Sequence, residues 1–426
     1  MPTQARQLAH RVLLDSEERG LPLAERLAAS EVESLPPRDR AFLHELVLGT
    51  LRRRGTVDLA LSRLSRRPLD RLDPEVRGAL RLGAYQMLFL RVPDRAAVSE
   101  SVGLVQGSAA RGFVNAVLRR LAREGPPPEA DAEADPLGWL TTAGSLPRWL
   151  ATRWLERLGA GGAVARAKAL LEPPTMAFRM NPRVPDAQVR IEAAGLAPRP
   201  LPVPGAWEAT AGRPSELAAS GVLYLQDPAS QLVARLAAGG RLTLDACAAP
   251  GGKATLIADE SGSAAEVVAA EASPRRLRTL VQLCRRWGAE NVRVVGADAL
   301  RPPFRTAFDS VLLDAPCSGL GTIGRHPDIR WKARPADLAR HSKRQRAMLE
   351  ALAPLVGRGG RLVYATCSLE PEETDQVVAG FLAAHPDLAP VPVPAWAAAF
   401  ADGPQVRALP ERDRTDGFFA AVLRRL

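Results

Sequence analysis

The first part of the chain repeats apolar residues at helical spacing. In "RAFLHELVLGTLRRRGTVDLALSRL" and "DPEVRGALRLGAYQMLFL", apolar side chains recur every three or four positions and arginines occupy the opposite faces. This pattern predicts an all-α bundle over residues 1–128. The proline run and acidic residues of "AREGPPPEADAEADP" interrupt the periodicity, so residues 129–139 are expected to form a linker.

Two different patterns follow this linker. Residues 140–235 mix short strand-like and helical runs, and they predict a small α+β subdomain that packs on the next part of the chain. Over residues 236–426 the order becomes strand, turn, helix, with apolar runs such as "RLTLDACAAPGG" and "FDSVLLDAPCSG". Apolar strands that alternate with helices indicate a parallel sheet covered on both faces. The chain is therefore predicted to be multidomain, with an α/β domain at its end.

Acidic residues stand at the predicted ends of three consecutive strands of this α/β domain. Glu271, Asp298 and Asp314 each follow an apolar run, and parallel sheets bind ligands at the carboxyl ends of their strands. The glycine turn after the first strand, with Gly251 and Gly252, lets the backbone approach a ligand at a helix N-terminus. Glu271 follows Gly252 by 19 positions. An acidic residue about 20 positions after such a turn typically receives ribose hydroxyls.

The form of the turn decides between cofactors. The segment "DACAAPGGK" has neither the GxGxxG fingerprint of dinucleotide sites nor a Walker lysine motif, so hydride transfer and phosphoryl transfer are disfavoured. The acidic strand ends and the turn suit a nucleoside that carries hydroxyls, an amine and a carboxylate. S-adenosylmethionine has all of these groups and is the predicted cofactor.

Two of the four cysteines end neighbouring apolar runs. Cys317 lies in "DAPCSG" and Cys367 in "ATCS", and adjacent strands would place the two thiols roughly 5–10 Å apart. Cys247 and Cys284 are interpreted as small buried thiols, the usual role of an isolated cysteine. A thiolate is needed to methylate carbon 5 of a pyrimidine, which becomes nucleophilic only after addition at carbon 6. The residues alone do not decide which of the two thiols adds to the ring.

Charge and composition narrow the class of partner. The chain has a formal net charge of +10, with 46% hydrophobic and 24% charged residues, and this favours a globular protein with a polyanionic partner. Nucleic acid is preferred over a membrane because no basic amphipathic tail is present. Arginines of the bundle, together with Phe178 and Arg179 of "FRMNPR", are expected to contact RNA.

The sequence predicts no membrane span, signal peptide, metal site or disulfide. No apolar run approaches the roughly 18 residues of a membrane span, and the N-terminal segment is unlike a signal peptide, so a cytoplasmic location and no membrane partner are expected. The cysteines form no CxxC pair and no histidine stands at ligand spacing to them. Neither a metal site nor a disulfide is therefore predicted.

Several segments give the chain a family resemblance. "DACAAPGGK", "DAPCSGLGTIGRHPDIRW", "ATCSLEPEE" and "DGFFAAVL" resemble the signature segments of the RNA cytosine-5 methyltransferases, over about residues 140–426. The first part, with "RAFLHELVLGTLRRRG" and "RGFVNAVLRRL", resembles the NusB-like RNA-binding domain fused to the bacterial small-subunit ribosomal RNA members. The resemblance implies a Rossmann-like class I methyltransferase domain over residues 236–426. It also implies methyl transfer from S-adenosylmethionine to carbon 5 of a cytosine in small-subunit ribosomal RNA.

The resemblance further assigns roles to single residues. It implies that Cys367 is the nucleophile and that Cys317 assists product release, with Asp314 and Lys253 near the target base. A Lys253–Asp314 pair would also lower the pKa of the attacking thiol. The cofactor-binding positions that it implies are Cys247, Ala248, Ala249, Pro250, Gly251, Gly252, Lys253, Glu271, Asp298 and Asp314. Gly324 departs from the family, where a basic residue usually precedes "RHPDI", and this concerns contacts of that loop with RNA.

Alternatives of two classes remain open. The same chemistry on transfer RNA is one, although the N-terminal bundle favours the ribosomal branch. A non-catalytic RNA-binding factor in ribosome assembly is the other, and the intact cysteine pair and acidic strand ends speak against it. The sequence does not decide whether the substrate is naked ribosomal RNA or a partly assembled subunit.

Overall fold

The apolar stripes of the N-terminal sequence form α-helices that pack on one another. The computed structural model describes residues 2–426 and divides them into two units. The first unit contains residues 2–172 and His326–Lys332, and the second contains Pro173–Arg325 and Ala333–Leu426. The helices of residues 2–172 are α1 (Gln4–Glu17), α2 (Leu23–Leu27), α3 (Ser30–Glu33), α4 (Pro37–Arg52), α5 (Arg54–Leu64), α6 (Pro74–Phe89), α7 (Asp94–Val102), α8 (Ser108–Glu124), α9 (Pro136–Thr141) and α10 (Arg148–Ala169).

The core of this first unit consists of the residues that form the apolar stripes. Leu46, Val57 and Leu118 are fully buried in one cluster. Residues 140–172 belong to the same unit as residues 2–128, whereas the change of pattern at residue 140 predicted a domain boundary there. The proline-rich segment breaks the helical pattern locally, but local composition does not report which helices pack together. No helix within residues 2–426 is long and apolar enough to cross a membrane.

A small antiparallel sheet opens the second unit. Its strands are β1 (Ala177–Met180), β2 (Pro198–Pro200), β3 (Trp207–Ala209) and β4 (Leu223–Leu225), in the order β2-β3-β1-β4. Three helices accompany them: α11 (Ala187–Ala193), α12 (Ser215–Ala219) and α13 (Pro228–Ala237). Phe178, Ile191, Leu196 and Val222 are fully buried in its small core. This arrangement agrees with the α+β character predicted for the segment.

A larger mixed sheet forms the rest of the second unit. Its strands follow the order β11-β12-β13-β9-β8-β5-β6-β7, and β10 pairs with β13. The five strands from β9 to β7 run parallel, and β13 is antiparallel to β9. The elements are β5 (Leu242–Asp245), α14 (Gly252–Glu260), β6 (Glu266–Glu271), α15 (Pro274–Trp287), β7 (Val292–Gly296), β8 (Phe308–Asp314), α17 (Pro335–Leu352), β9 (Val356–Thr366), α18 (Asp375–Ala384), β10 (Leu388–Pro390), β11 (Ala401–Asp402), β12 (Gln405–Ala408), α19 (Pro410–Asp413) and β13 (Phe418–Arg425).

Both faces of the parallel part are covered, which explains its continuous apolar runs. Adjacent residues of one strand enter different core clusters, as Leu312 does on one face and Leu313 on the other. A strand with one solvated face would alternate apolar and polar residues instead. The prediction of a parallel sheet is confirmed for five strands, and the last segment, "DGFFAAVLRR", adds an antiparallel strand.

One short segment of the C-terminal sequence belongs to the helical unit. Residues 326–332, which end in helix α16 (Ile329–Lys332), pack within the first unit. Trp331 Nε1 donates to the Leu51 carbonyl at 2.8 Å, and the Trp331 ring packs against the core of the bundle. Arg330 is fully buried and donates to the Ser145 carbonyl at 3.2 Å. The strand-helix rhythm around this segment gave no sign of such packing.

The expectation that Phe178 and Arg179 contact RNA is wrong for both side chains. Phe178 is fully buried, and Arg179 is 2% exposed. Arg179 Nη1 lies 3.1 Å from Asp259 Oδ2, and its guanidinium stands over the Trp287 ring at 4.1 Å from the centroid. Burial, opposed by the charge of Asp259, lowers the pKa of Arg179 to about 10. Arg179 therefore fastens the small sheet to helix α14.

Replacing Arg179 by methionine should destabilise the fold without affecting RNA binding directly. Because Asp259 loses a buried partner, we expect unfolding free energy to fall by about 3 kcal/mol. Chemical unfolding and RNA filter binding would measure the two effects. Arg190→Met, at an exposed arginine, is the matched control. Weaker RNA binding at unchanged stability would contradict this structural role.

Candidate active site

The carboxyl ends of four parallel strands meet at one edge of the large sheet. β5 ends at Asp245, β6 at Glu271 and β8 at Asp314, while Cys367 directly follows the last residue of β9. Strands β8 and β9 are paired in parallel, with Asp314 opposite Ala365. Parallel pairing therefore brings chemically active side chains from distant parts of the sequence to one crevice.

The turn between β5 and α14 requires both of its glycines. Gly251 has a φ of +115°, and a Cβ there would lie 2.8 Å from Leu280 Cδ1. A Cβ on Gly252 would lie 2.5 Å from Tyr224 Cε1. The turn is thus held close to its neighbours, and helix α14 starts at Gly252 with its first backbone N–H groups unpaired within the helix. Such an end favours a negatively charged ligand group.

Glu271 is placed by contacts on both sides of its carboxylate. It is 5% exposed, and its Oε1 accepts from the backbone N–H of Ser273 at 2.8 Å. Arg276 Nη1 lies 3.3 Å from Glu271 Oε2, and Arg276 Nη2 donates to the carbonyl of Ala249 at 2.7 Å. Arg276 therefore links the end of β6 to the glycine turn. This supports the predicted pairing of the two in one ligand site.

Asp245 is a site residue that the sequence reasoning missed. It is 1% exposed, and neither of its carboxylate oxygens has a hydrogen-bond partner of good geometry within residues 2–426. Burial and the charge of Asp314 raise the pKa of Asp245 to about 7, against the opposing charge of Lys253. Its position as the first residue of "DACAAPGGK" was the available signal. An unsatisfied buried carboxyl at a strand end indicates a ligand that donates hydrogen bonds.

Two of the predicted positions differ in their surroundings. Cys247 is partly buried, and burial together with the charges of Asp245 and Asp314 raises the pKa of its thiol, so it remains protonated. Asp298 is exposed, and its Oδ1 accepts from the backbone N–H of Leu300 at 3.0 Å. Glu271 is therefore buried at its strand end, whereas Asp298 lies in solvent.

Lys253 and Asp314 form the predicted ion pair. Lys253 Nζ lies 2.7 Å from Asp314 Oδ2, and the ammonium stands over the Phe418 ring at 5.3 Å from the centroid. Burial lowers the pKa of Lys253, but the charge and hydrogen bond of Asp314, with the charges of Asp245 and Cys367, raise it overall. The lysine therefore stays charged, and a negative charge on Cys367 is favourable to it.

The two cysteines at the strand ends are in direct contact. Cys317 Sγ lies 2.9 Å from Cys367 Sγ, and both residues are half-buried. The hydrogen bond to Cys367, burial and the charges of Cys367, Glu373 and Asp314 raise the pKa of Cys317. Either sulfur can be the donor in this contact, and the raised pKa of Cys317 favours its protonated form. The prediction that the two thiols are neighbours is confirmed, and their sulfurs are closer than strand spacing alone predicted because the loop of Cys317 packs on the turn of Cys367.

The loop that carries Cys317 is held against the turn that carries Cys367. The backbone N–H of Gly321 donates to the Cys367 carbonyl at 3.0 Å, and Gly417 donates to the Gly321 carbonyl at 2.7 Å. A Cβ on Gly321 would lie 2.0 Å from the Gly417 oxygen, so only glycine fits at this backbone crossing. Sequence reasoning missed both glycines, although each stands in a quoted motif.

An ion-paired arginine ends the same loop. Arg325 Nε donates to Asp416 Oδ2 at 3.0 Å, and its Nη2 donates to Asp227 Oδ2 at 3.1 Å. Burial and the charge of Asp416 raise the pKa of Asp227, while Arg325 opposes this. The three residues lie far apart in the sequence, so their spacing gave no sign of them as a group. Gly324, the departure from the family pattern, is buried next to this arginine.

Comparison with known proteins identifies the family. Residues 236–424 match the family model described as 16S rRNA methyltransferase RsmB/F, and residues 3–123 match the NusB family. Ribosomal RNA small subunit methyltransferase B of Thermus thermophilus is 39% identical over 430 residues, which cover 99% of this chain and 98% of the relative. The chain belongs to the 16S rRNA methyltransferase RsmB/F family.

Other relatives and solved structures agree with this assignment. The probable ribosomal RNA small subunit methyltransferase B of Bacillus subtilis is 32% identical over 450 residues, covering 99% of each chain. The crystal structure of PH0851 shares the fold with a TM-score of 0.80 at 24% identity, covering 99% of this chain and 98% of that one. A methyltransferase homolog from Pyrococcus horikoshii has a TM-score of 0.57 at 27% identity, covering 67% and 97%. The predicted multidomain fold and enzyme class are confirmed.

S-adenosylmethionine is the cofactor of this family, and the residues present fit it. The buried carboxyl groups of Asp245 and Glu271 can accept hydrogen bonds from an amine or from ribose hydroxyls. Any larger residue at Gly251 or Gly252 would collide with Leu280 or Tyr224, so only glycine keeps this close backbone turn at the start of α14. Within residues 2–426 no group of three or more His, Cys, Asp or Glu side chains is arranged to hold a metal ion.

The raised pKa of Asp245 predicts a pH-dependent stability in the cofactor-free protein. A free aspartate titrates near 3.9, so ionisation costs the folded chain stability as pH rises from about 4 to about 7. Asp245→Asn removes this loss, which is at most about 4 kcal/mol for three pKa units. Thermal unfolding between pH 4.5 and 8 should show the variant gaining on wild type up to pH 7. The exposed Asp298→Asn is the control, and a pH-independent difference at Asp245 would refute the assignment.

Proposed function

We propose that this protein transfers a methyl group to carbon 5 of a cytosine in small-subunit ribosomal RNA through a covalent adduct at carbon 6. The observation that carries this proposal is the contact of Cys317 and Cys367, with sulfurs 2.9 Å apart at the ends of adjacent parallel strands. Methylation of a ring nitrogen or of a hydroxyl needs no thiol. A pair of thiols beside a methyl donor site therefore favours a pyrimidine carbon as the acceptor.

Cys367 is the better candidate for the attacking thiolate. The Lys253 ammonium interacts favourably with negative charge on Cys367, and Cys317 can donate its proton toward the same sulfur. Both effects stabilise an anionic Cys367, and a stabilised thiolate is the form that adds to carbon 6. The contact with Cys367 and burial raise the pKa of Cys317, and this favours its protonated form. These features support the role division that the family resemblance implies.

The reaction then proceeds through methyl transfer, loss of the carbon-5 proton and release of Cys367. Addition of the Cys367 sulfur to carbon 6 raises the electron density at carbon 5. Bound S-adenosylmethionine supplies the electrophilic methyl group that carbon 5 takes up. The carbon-5 proton then passes to a base, and the bond between carbon 6 and sulfur breaks. The Cys317 thiol lies next to the departing sulfur, so its hydrogen bond stabilises the thiolate that leaves.

Lys253 and Asp314 complete the proposed base site. Their ion pair lies beside Phe418, and Asp314 stands at the end of the strand that leads to Cys317. A carboxylate accepts hydrogen bonds from an exocyclic amine, which cytosine carries and uracil lacks. We therefore assign Asp314, held by Lys253, to the recognition of the target cytosine.

The nucleic-acid partner follows from the family and from charge. The NusB-family match over residues 3–123 supports RNA binding by the helical unit, and the net charge of +10 suits a polyanion. The relatives named small subunit methyltransferase B support small-subunit ribosomal RNA over transfer RNA. The sequence leaves the choice between naked ribosomal RNA and a partly assembled subunit open, and a cytoplasmic location stays a prediction.

Single cysteine variants test the chemistry. With unmodified ribosomal RNA and S-adenosylmethionine, Cys317→Ala should accumulate a covalent protein–RNA adduct, since addition proceeds and release is slowed. Cys367→Ala should form none and lose methyl transfer to background. Denaturing gels with labelled RNA would show the adducts, and Cys284→Ala is a matched control. The reverse pattern would exchange the two roles, and methyl transfer by both variants would end the proposal.

Mapping 5-methylcytosine in cells that lack this protein tests the substrate. At least one modified position of small-subunit ribosomal RNA should be lost, because one enzyme serves a given site in this scheme. The wild-type gene should restore it and the Cys367→Ala gene should not. Unchanged ribosomal RNA with a lost position in transfer RNA would support the alternative substrate instead.

A further inference from the structure

Glu373 is a buried carboxylate next to the cysteine pair. It is 0% exposed and stands six positions after Cys367, at the end of the 3-10 turn Pro371–Glu373. A fully buried charge is costly unless hydrogen bonds compensate for the lost hydration. Neither the cofactor site nor the base site described above uses this residue, so its partners indicate another role.

Every hydrogen bond of this carboxylate goes to elements around Cys317. Glu373 Oε1 accepts from the backbone N–H of Ser318 at 2.8 Å, and Oε2 accepts from the Ser318 hydroxyl at 2.5 Å. Gln345 Nε2, from helix α17, donates to Glu373 Oε1 at 3.2 Å. The same Gln345 nitrogen donates to the carbonyl of Pro316 at 3.1 Å. The residues on both sides of Cys317 are therefore held.

The backbone of Glu373 is itself held by a hydrogen bond from strand β9. Tyr364, a fully buried residue of β9, donates its hydroxyl to the Glu373 carbonyl at 2.6 Å. β9 is also the strand that ends beside Cys367. Glu373 thus connects the strand that positions one sulfur with the loop that positions the other.

We propose that Glu373 is a positioning residue that holds the Cys317 thiol against the sulfur of Cys367 for release of the methylated base. The proposal rests on the proposed function, because it assumes that Cys317 assists elimination. Attack by Cys367 depends on Lys253, and within residues 2–426 the hydrogen bonds of the Glu373 carboxylate go to Ser318 and Gln345 rather than to Lys253. Loss of Glu373 should therefore slow adduct breakdown more than adduct formation. A role in overall folding alone would lower both in proportion.

The decisive measurement is the rate at which the methylated adduct breaks down after a chase with unlabelled RNA. Glu373→Ala should slow this step about tenfold or more, as expected for lost hydrogen bonds to a charged group. Glu373→Gln should recover most of the rate, because its amide oxygen still accepts the two N–H groups and its NH₂ can donate to Ser318. Glu372→Ala, one residue away and partly exposed, is the matched control and should match wild type.

A double variant separates positioning from an independent effect. In a Cys317→Ala background, Glu373→Ala should not slow breakdown further, since the group through which it acts is gone. An equal slowing in both backgrounds would overturn the proposal, as would wild-type breakdown by Glu373→Ala. If the Cys317→Ala adduct broke down at the wild-type rate, Cys317 would not assist release. Both the proposed roles of the two cysteines and this inference would then be wrong. If Glu373→Ala fails to fold, Ser318→Ala carries the test, with breakdown expected to slow a few-fold.

Discussion

Parallel pairing of β8 with β9 is the constraint on which the site depends. In a parallel pair the two strands end at the same edge, so residues fifty positions apart in the sequence come into contact. The register that places Asp314 opposite Ala365 also sets the loop of Cys317 against the turn of Cys367. A shift by one residue would turn these side chains to the other face of the sheet. The apolar cores on both faces make such a shift costly.

Two carboxyl groups at this edge of the sheet are buried away from water. Asp245 and Glu271 are almost fully buried, and they differ in how they are satisfied. Glu271 has a well-placed backbone donor and an arginine, whereas no arginine and no donor of good geometry reaches Asp245 within the described chain. Active sites commonly hold groups at some expense of stability when a ligand is to complete them. Glu271 therefore has its hydrogen-bond donors within the protein, whereas Asp245 is left for a bound methyl donor to satisfy.

Local sequence patterns predicted the strand ends well, because an apolar run indicates a buried strand and a glycine turn indicates where that strand ends. They identified the neighbouring thiols and the Lys253–Asp314 pair. They did not reveal Glu373 as a partner of Ser318, or Arg325 as the partner of Asp227, since Glu373 and Asp227 do not lie at the recognised strand ends. They also gave Arg179 an exposed role, because an arginine buried over an aromatic ring looks the same in sequence as a solvated one. Tertiary packing decides all three.

The capture of residues 326–332 by the helical unit has a consequence for dissection of the protein. The chain leaves the catalytic unit after Arg325 and re-enters it at Ala333, so the unit boundary is crossed three times. A catalytic fragment cut at residue 173 would carry Trp331 and Arg330 without the carbonyls and apolar surface that cover them. Such a fragment would expose the apolar ring of Trp331 to solvent, and an exposed apolar side chain favours aggregation. Residues 2–172 and residues 173–426 should therefore be co-expressed, rather than expressed separately, when functions are assigned to the two units.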